Sequence, residues 1–218
     1  MHIPDGFLDA KTWAGAAALS GVAVGVAVRR TRGELGERQI PTLGVLAAFI
    51  FAAQMVNFPV IGGTSGHLVG AVLAAILLGP WPATLIMTTV LAVQALFFQD
   101  GGLTALGANV LNMGVVAVWA GYGLYRAVRA VLPAAAGHLA ATFAAAWFSV
   151  MASALAAACE LAWSGTLPLK VVLPALAYWH AFIGLGEGVI TTSVVAYLAR
   201  TYPATAGAGP VFDGGVPR

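Results

Sequence analysis

Charge is the first thing this sequence lacks. Only 8% of its 218 residues are Asp, Glu, Lys or Arg, and 60% are hydrophobic; soluble domains carry roughly 25% charged residues. So few charges cannot cover a water-facing surface, which excludes a soluble globular domain and leaves a helical membrane protein. Cysteine is nearly absent. Cys159 stands alone, which excludes an internal disulfide and a cysteine-rich metal site. The net charge of +2 is too small to point to nucleic acid. There is no GxxxxGK[ST] phosphate loop, so the chain carries no ATPase of its own. There is also no His-Glu-x-x-His zinc motif and no nucleophile beside a base, which argues against an intramembrane enzyme. No internal repeat is visible.

Positive charge is missing from the start of the chain as well. Met1–Ala10 contains Asp5 and Asp9 but no Lys or Arg, and the first basic cluster, Arg29, Arg30 and Arg32, follows the first apolar run. A cleavable signal peptide has the opposite order. The order here predicts a retained N-terminus on the non-cytoplasmic side.

What is present is apolar sequence. Seven stretches of membrane-span character lie at about 12–28, 41–58, 67–79, 82–98, 105–125, 137–163 and 171–199. The third is short and bounded by GGTSG and GPWP. Six full spans with one re-entrant segment is therefore the alternative. With the N-terminus outside, seven spans put Arg29, Arg30, Arg32, Arg38, Arg126, Arg129, Arg200 and Arg218 inside, and only Lys11 and Lys170 outside. The expected fold is thus an all-α integral membrane protein of seven transmembrane helices with a cytoplasmic C-terminus. Residues 1–200 form one transmembrane domain with a functional N-terminal segment 1–10. The Gly/Pro-rich stretch 201–218 reads as a flexible cytoplasmic tail. Among the 27 glycines, Gly21 and Gly25 form a GxxxG packing pattern, and Gly184, Gly186 and Gly188 expose backbone for close approach. Met55, Met87, Met113 and Met151 read as core fillers.

This topology sorts the four histidines. His2 and His67 share the outer face, and His138 lies at the cytoplasmic start of the sixth span. His180 is about nine residues, roughly 13 Å, into the seventh. His2 has an unusual option. A free N-terminal amine, the backbone nitrogen of residue 2 and the imidazole Nδ1 can close one five-membered and one six-membered chelate ring on a single metal ion. A second imidazole, His67, would complete a square of four nitrogens. That geometry suits Ni(II) or Cu(II). The backbone nitrogen binds only after losing its proton, so affinity should fall in acid. A large second residue also favours retention of Met1.

MHIPDGFLD, GGTSGH with GAVLAAILLGPW, and VQALFFQDGGLTALGANVLNMG, three motifs in order, resemble the cobalt/nickel uptake family of energy-coupling-factor transporters. These are its substrate-specific membrane subunits, CbiM and NikM. The resemblance is strongest over residues 1–125. It implies a seven-span substrate-binding S component, with metal held by the amine and backbone of Met1 and His2, the His2 imidazole and His67. It implies partners too: a transmembrane coupling (T) subunit and a pair of cytoplasmic ATPases, all in the plasma (inner) membrane of a bacterium or archaeon. Some relatives add a further small membrane subunit. No tightly bound cofactor is expected, only the transported metal. MHIPDGF and GGTSGH look more like the nickel branch; cobalt uptake for cobalamin biosynthesis is the alternative, and a stand-alone secondary transporter is a further one.

Metal-bound imidazoles usually donate their other nitrogen to a fixed acceptor. Gln94, Asn109, Asn112, Asp100 and Asp5 lie near the outer face and are the supporting residues to consider, beside a plain interhelical hydrogen-bonding role. The loop FQDGGLTALG could act as a lid. Glu187 is about 16 residues into the seventh span, nearer the cytoplasmic face by counting, and shares a helix face with His180. An intramembrane carboxylate is a functional hypothesis by default. A coupling or proton-relay role for His180 and Glu187 stands beside a purely structural one.

Overall fold

In a computed structural model the chain is described over residues 1–32, 40–60 and 64–201. The tail reading, from residue 202 on, and the charges Arg38 and Arg218 lie outside the described residues. After an irregular N-terminal segment come α1 (Ala10–Thr31), α2 (Ile40–Gln54), a small antiparallel hairpin of β1 (Phe58–Val60) and β2 (Thr64–Gly66), α3 (Ala71–Leu78) and α4 (Pro80–Phe97). Leu106–Val131 then runs as one helix made of α5 (Leu106–Asn109), a π-helical segment (Val110–Val116) and α6 (Ala117–Val131). Helices α7 (Ala135–Trp163) and α8 (Leu169–Thr201) complete the chain. Among the described residues four helices, α1, α4, α7 and α8, are long and apolar enough to cross a membrane; α2 is apolar but shorter.

Local chemistry explains the boundaries. Asp9 caps α1 by accepting from the Thr12 N–H at 3.0 Å, and Arg29 and Arg30 sit in its last turn, where cations complement the helix dipole. The expected span 41–58 is helical only to Gln54. The residue before a proline is pushed into extended backbone, and Phe58-Pro59 begins the hairpin instead. The expected span 67–79 is helical only from Ala71 to Leu78. Gly79, at φ +85°, stops it, and Pro80 occupies the first turn of α4, where its missing N–H costs nothing.

Eight residues of α-helix measure only about 12 Å. All residues of α3 but Leu77 are buried, packed among α4, α6 and α7. Helices α7 and α8 pack along their lengths, while α1 lies against α4 and α5.

The glycine expectations divide. A Cβ at Gly184 or Gly188 would come within 2.9 Å of Trp147 Cδ1 or 2.7 Å of Phe143 Cε2, so both close the α7–α8 seam. At Gly21, Gly25 and Gly186 a Cβ would meet nothing within 4 Å, so the GxxxG face packs on nothing among the described residues. The close approach on α1 is made at Ala17, whose Cα would lie 2.4 Å from a Cβ at Gly107. Met87 and Met113 are fully buried, whereas Met55 is exposed.

Candidate metal centre

The N-terminal segment does not lie across the outside of the bundle. It threads inward. Met1, His2 and Ile3 are all buried, whereas Asp5 is exposed. Two elements grip it. From the hairpin, the Ser65 carbonyl accepts from the Met1 amine. Ser65 Oγ accepts from the same amine at 3.2 Å and from the His2 N–H at 3.3 Å. From α5, Asn109 reads the Ile3 backbone as a strand partner would. Its Oδ1 accepts the Ile3 N–H at 2.8 Å and its Nδ2 donates to the Ile3 carbonyl at 3.1 Å. The Gly102 N–H donates to the same carbonyl at 2.9 Å.

Gly102 allows this approach. A Cβ there would fall 2.3 Å from the Asp5 nitrogen and 2.7 Å from the Pro4 carbonyl carbon. Residues 100–104 thus pack directly against the threaded terminus. Asp5 fastens the loop. Its carboxylate accepts from the Leu103 N–H at 3.0 Å, the Thr104 N–H at 2.7 Å and the Thr104 hydroxyl at 2.5 Å.

The Thr104 hydroxyl bond, above all, holds the Asp5 carboxyl below its ordinary value of 3.8. A carboxylate with a depressed folded-state pKa contributes stability that is complete above its unfolded value and is lost as pH falls through the folded one. The 100–104 loop should therefore loosen only below about pH 4. Asp5→Asn should loosen it at every pH, because the amide offers one acceptor where three donors converge. Hydrogen exchange at the Leu103 and Thr104 amides checks this: it should be fast in the variant at pH 7, and slow in the wild type until acid is reached.

Two imidazoles meet below this loop. The rings of His2 and His67 stack with centroids 4.5 Å apart and planes 22° from parallel. His2 Nε2 is 3.1 Å from Gln94 Oε1 on α4, which accepts its N–H. His2 Nδ1 faces Asp100 Oδ1 at 3.2 Å and Ser65 Oγ at 3.5 Å. A nitrogen lone pair facing a carboxylate needs a proton or a cation between them.

Burial lowers the His2 pKa from its ordinary 6.5, against the opposing pull of Asp100. Burial likewise takes the Met1 amine from 8.0 down to about 4. Near neutral pH this pocket therefore favours free lone pairs on both. His67 Nδ1 donates to the Leu68 carbonyl at 2.7 Å. That bond fixes the tautomer and leaves Nε2 as a buried acceptor with no partner among the described residues. An orphaned buried acceptor is costly; a metal ion is one partner that would satisfy it.

The remaining expected residues fall in different places. Asn112, three residues beyond Asn109, turns away to donate to Glu160 Oε2 on α7 at 2.6 Å. The π turn between them rotates successive side chains out of α-helical register. His138 bonds Tyr125 at 2.9 Å. His180 is buried, with Nδ1 donating to the Leu176 carbonyl at 2.8 Å and Nε2 without a partner among the described residues. Glu187 bonds the two amides after Leu68, Val69 at 2.5 Å and Gly70 at 2.6 Å.

Three buried or half-buried polar residues escaped the sequence reading. Ser65 sits inside the quoted GGTSGH, but a serine in a loop carries no distinguishing mark. Gln54 donates to the Val69 carbonyl at 2.6 Å, and its signal was an amide at the end of an apolar run. Glu160 was legible as a carboxylate within an apolar helix. Among the described residues no three His, Cys, Asp or Glu side chains cluster as metal ligands.

Residues 2–205 match the family model for the CbiM cobalt uptake substrate-specific transmembrane region. A protein of Archaeoglobus fulgidus, provisionally named a fused nickel transport protein NikMN, is 45% identical over 205 residues, covering 93% of this chain and 67% of that protein. The cobalt transport protein CbiM of Sorangium cellulosum is 35% identical, with 93% of each chain covered. A crystal structure of a truncated transition metal transporter superposes with a TM-score of 0.87 at 35% identity, covering 92% of this chain and 99% of that one. The chain therefore belongs to the CbiM family of substrate-specific transmembrane regions, as a membrane component of metal transport and not an enzyme.

Proposed function

We propose that this chain is the substrate-binding membrane subunit of an energy-coupling-factor transporter importing Ni2+. The metal is held by the Met1 amine, the deprotonated His2 backbone nitrogen, His2 Nδ1 and His67 Nε2. The observation that carries this reading is the burial of the Met1 amine and the His2 ring in one pocket, with the His67 ring stacked on His2 and its Nε2 bare. Gln94 supports the His2 ring through Nε2. Asp100 lies close enough to balance the ion's charge.

In this reading the chain crosses the membrane seven times, with the N-terminus outside and the C-terminus in the cytoplasm. The third crossing cannot be α3 alone, since about 12 Å does not span a hydrocarbon core of about 30 Å. It combines the buried loop 67–70 with α3, an arrangement tolerated where irregular backbone is enclosed by protein. Energy comes from a coupling T subunit and a pair of cytoplasmic ATPases in the plasma membrane, with a small accessory subunit in some assemblies.

Four in-plane nitrogens favour nickel over cobalt. Cobalt is the second reading, favoured by the family's own description. The test is metal titration of the purified protein with Met1 as its first residue. Nickel should bind with the visible band of a square-planar, four-nitrogen site, and cobalt should displace it only in excess. An octahedral nickel spectrum, or cobalt held more tightly, would overturn the assignment.

A further inference from the structure

The His67 ring is oriented by its own backbone. Its Nδ1 is tied to the next carbonyl, Leu68, so the ring goes where the peptides 67–70 go. No regular element holds those peptides: β2 ends at Gly66 and α3 starts at Ala71. What holds them is a side chain from the far end of the sequence. Glu187, buried in the middle of α8, accepts from two successive amides, Val69 at 2.5 Å with Oε2 and Gly70 at 2.6 Å with Oε1.

Two further contacts brace the same turn. Gln54 Nε2 holds the Val69 carbonyl from the α2 side. Gly70 adopts φ +76°, with Ile50 filling the space where a Cβ would sit. A carboxylate buried among apolar side chains is expensive, and a plain packing role would not need one. Two divergent N–H groups do need one, because only a carboxylate offers a separate charged oxygen to each.

We propose that Glu187 is the positioning residue of the His67 arm. Its carboxylate grips the backbone of Val69 and Gly70 and so fixes the plane and reach of the His67 imidazole. The grip also makes α8 the helix through which a displacement in the bundle reaches that imidazole. This inference rests on the metal reading proposed above.

The test uses the full chain with Met1 first, nickel as the probe, and four proteins: wild type, His67→Ala, Glu187→Gln and Glu187→Asp. In Glu187→Gln one oxygen is replaced by an NH2 that faces an N–H donor, so one amide is released. In Glu187→Asp the charge remains, but the shorter side chain reaches one amide at best.

Substitutions outside the ligand set that misorient a ligand typically cost about 10–100-fold in metal affinity. A loss in that range is expected for Glu187→Gln, with its nickel absorption band displaced toward that of His67→Ala. Glu187→Asp should fall between Glu187→Gln and wild type. A merely structural role would leave the band of any folded variant unmoved, and a wild-type band with wild-type affinity in Glu187→Gln overturns the proposal. If Glu187→Gln does not purify as a folded protein, Glu187→Asp is read in its place, and a wild-type band with wild-type affinity there overturns the proposal. Should His67→Ala itself match wild type, His67 is no ligand, and the metal reading falls together with this one.

Discussion

His2→Ala is expected to lose at least three orders of magnitude in nickel affinity while the protein still folds. The substitution removes the imidazole, and with it the second chelate ring that makes loss of the His2 backbone proton favourable. If a metal site of about 10–16 kcal/mol is shared by four donors, each donor accounts for roughly 3–4 kcal/mol, or roughly 100- to 1,000-fold. Two donors are affected here, hence the larger loss. Equilibrium dialysis with nickel checks the number, and a thermal melt checks the fold. The fold should persist because helices α1 to α8 pack through their own apolar faces, not through His2. Binding should also weaken as pH falls, because the backbone nitrogen gives up a proton when it ligates. Nickel affinity within tenfold of wild type in His2→Ala would place the metal elsewhere.

Asn109→Ala is expected to undock the N-terminal segment without touching any proposed ligand. Asn109 satisfies the Ile3 N–H and shares the Ile3 carbonyl with Gly102. Removing it strands a buried donor, at about 1–3 kcal/mol, and deletes a second hydrogen bond of about 1 kcal/mol. A total of about 2–4 kcal/mol is roughly a 30- to 700-fold shift in the docked population. Proteolysis or hydrogen exchange over residues 1–8 should rise, and apparent nickel affinity should fall by up to the same factor. Asn112→Ala makes the contrasting case. That side chain serves Glu160 on α7, so the variant should lose bundle stability and leave the terminus protected. Equal effects from the two asparagines would mean that Asn109 is simply another packing residue.

The contrast between these two asparagines indicates how much could be read from the chain alone. Both stand in ALGANVLNMG, three residues apart, and an α-helix would put them near one face. The π segment beginning at Val110 separates them, and nothing in VLNMGVV announces it. Glu187 teaches the same lesson differently. Counting residues from the start of its span placed it toward the cytoplasmic side. The buried loop 67–70 comes down to meet it instead, because irregular backbone and a short α3 occupy what looked like one helical span. Ser65 could not be singled out, since a loop serine becomes informative only when two buried N–H donors converge on its oxygen.

What the sequence determined by itself was the material and the candidate ligands proposed for the metal. The scarcity of charge dictated a membrane solvent, the apolar runs dictated helices, and a histidine at position 2 defined which chelate rings could close. Those are properties of composition and covalent spacing, and they need no fold. Only the tertiary structure decided where the Met1-His2 terminus sits. The hairpin, α5 and α8 come from distant parts of the chain. They bring Ser65, Asn109 and Glu187 against the N-terminus and the His67 loop, because every buried N–H and C=O there must find a partner. That requirement turns a loose end of sequence into a fixed wall of the site.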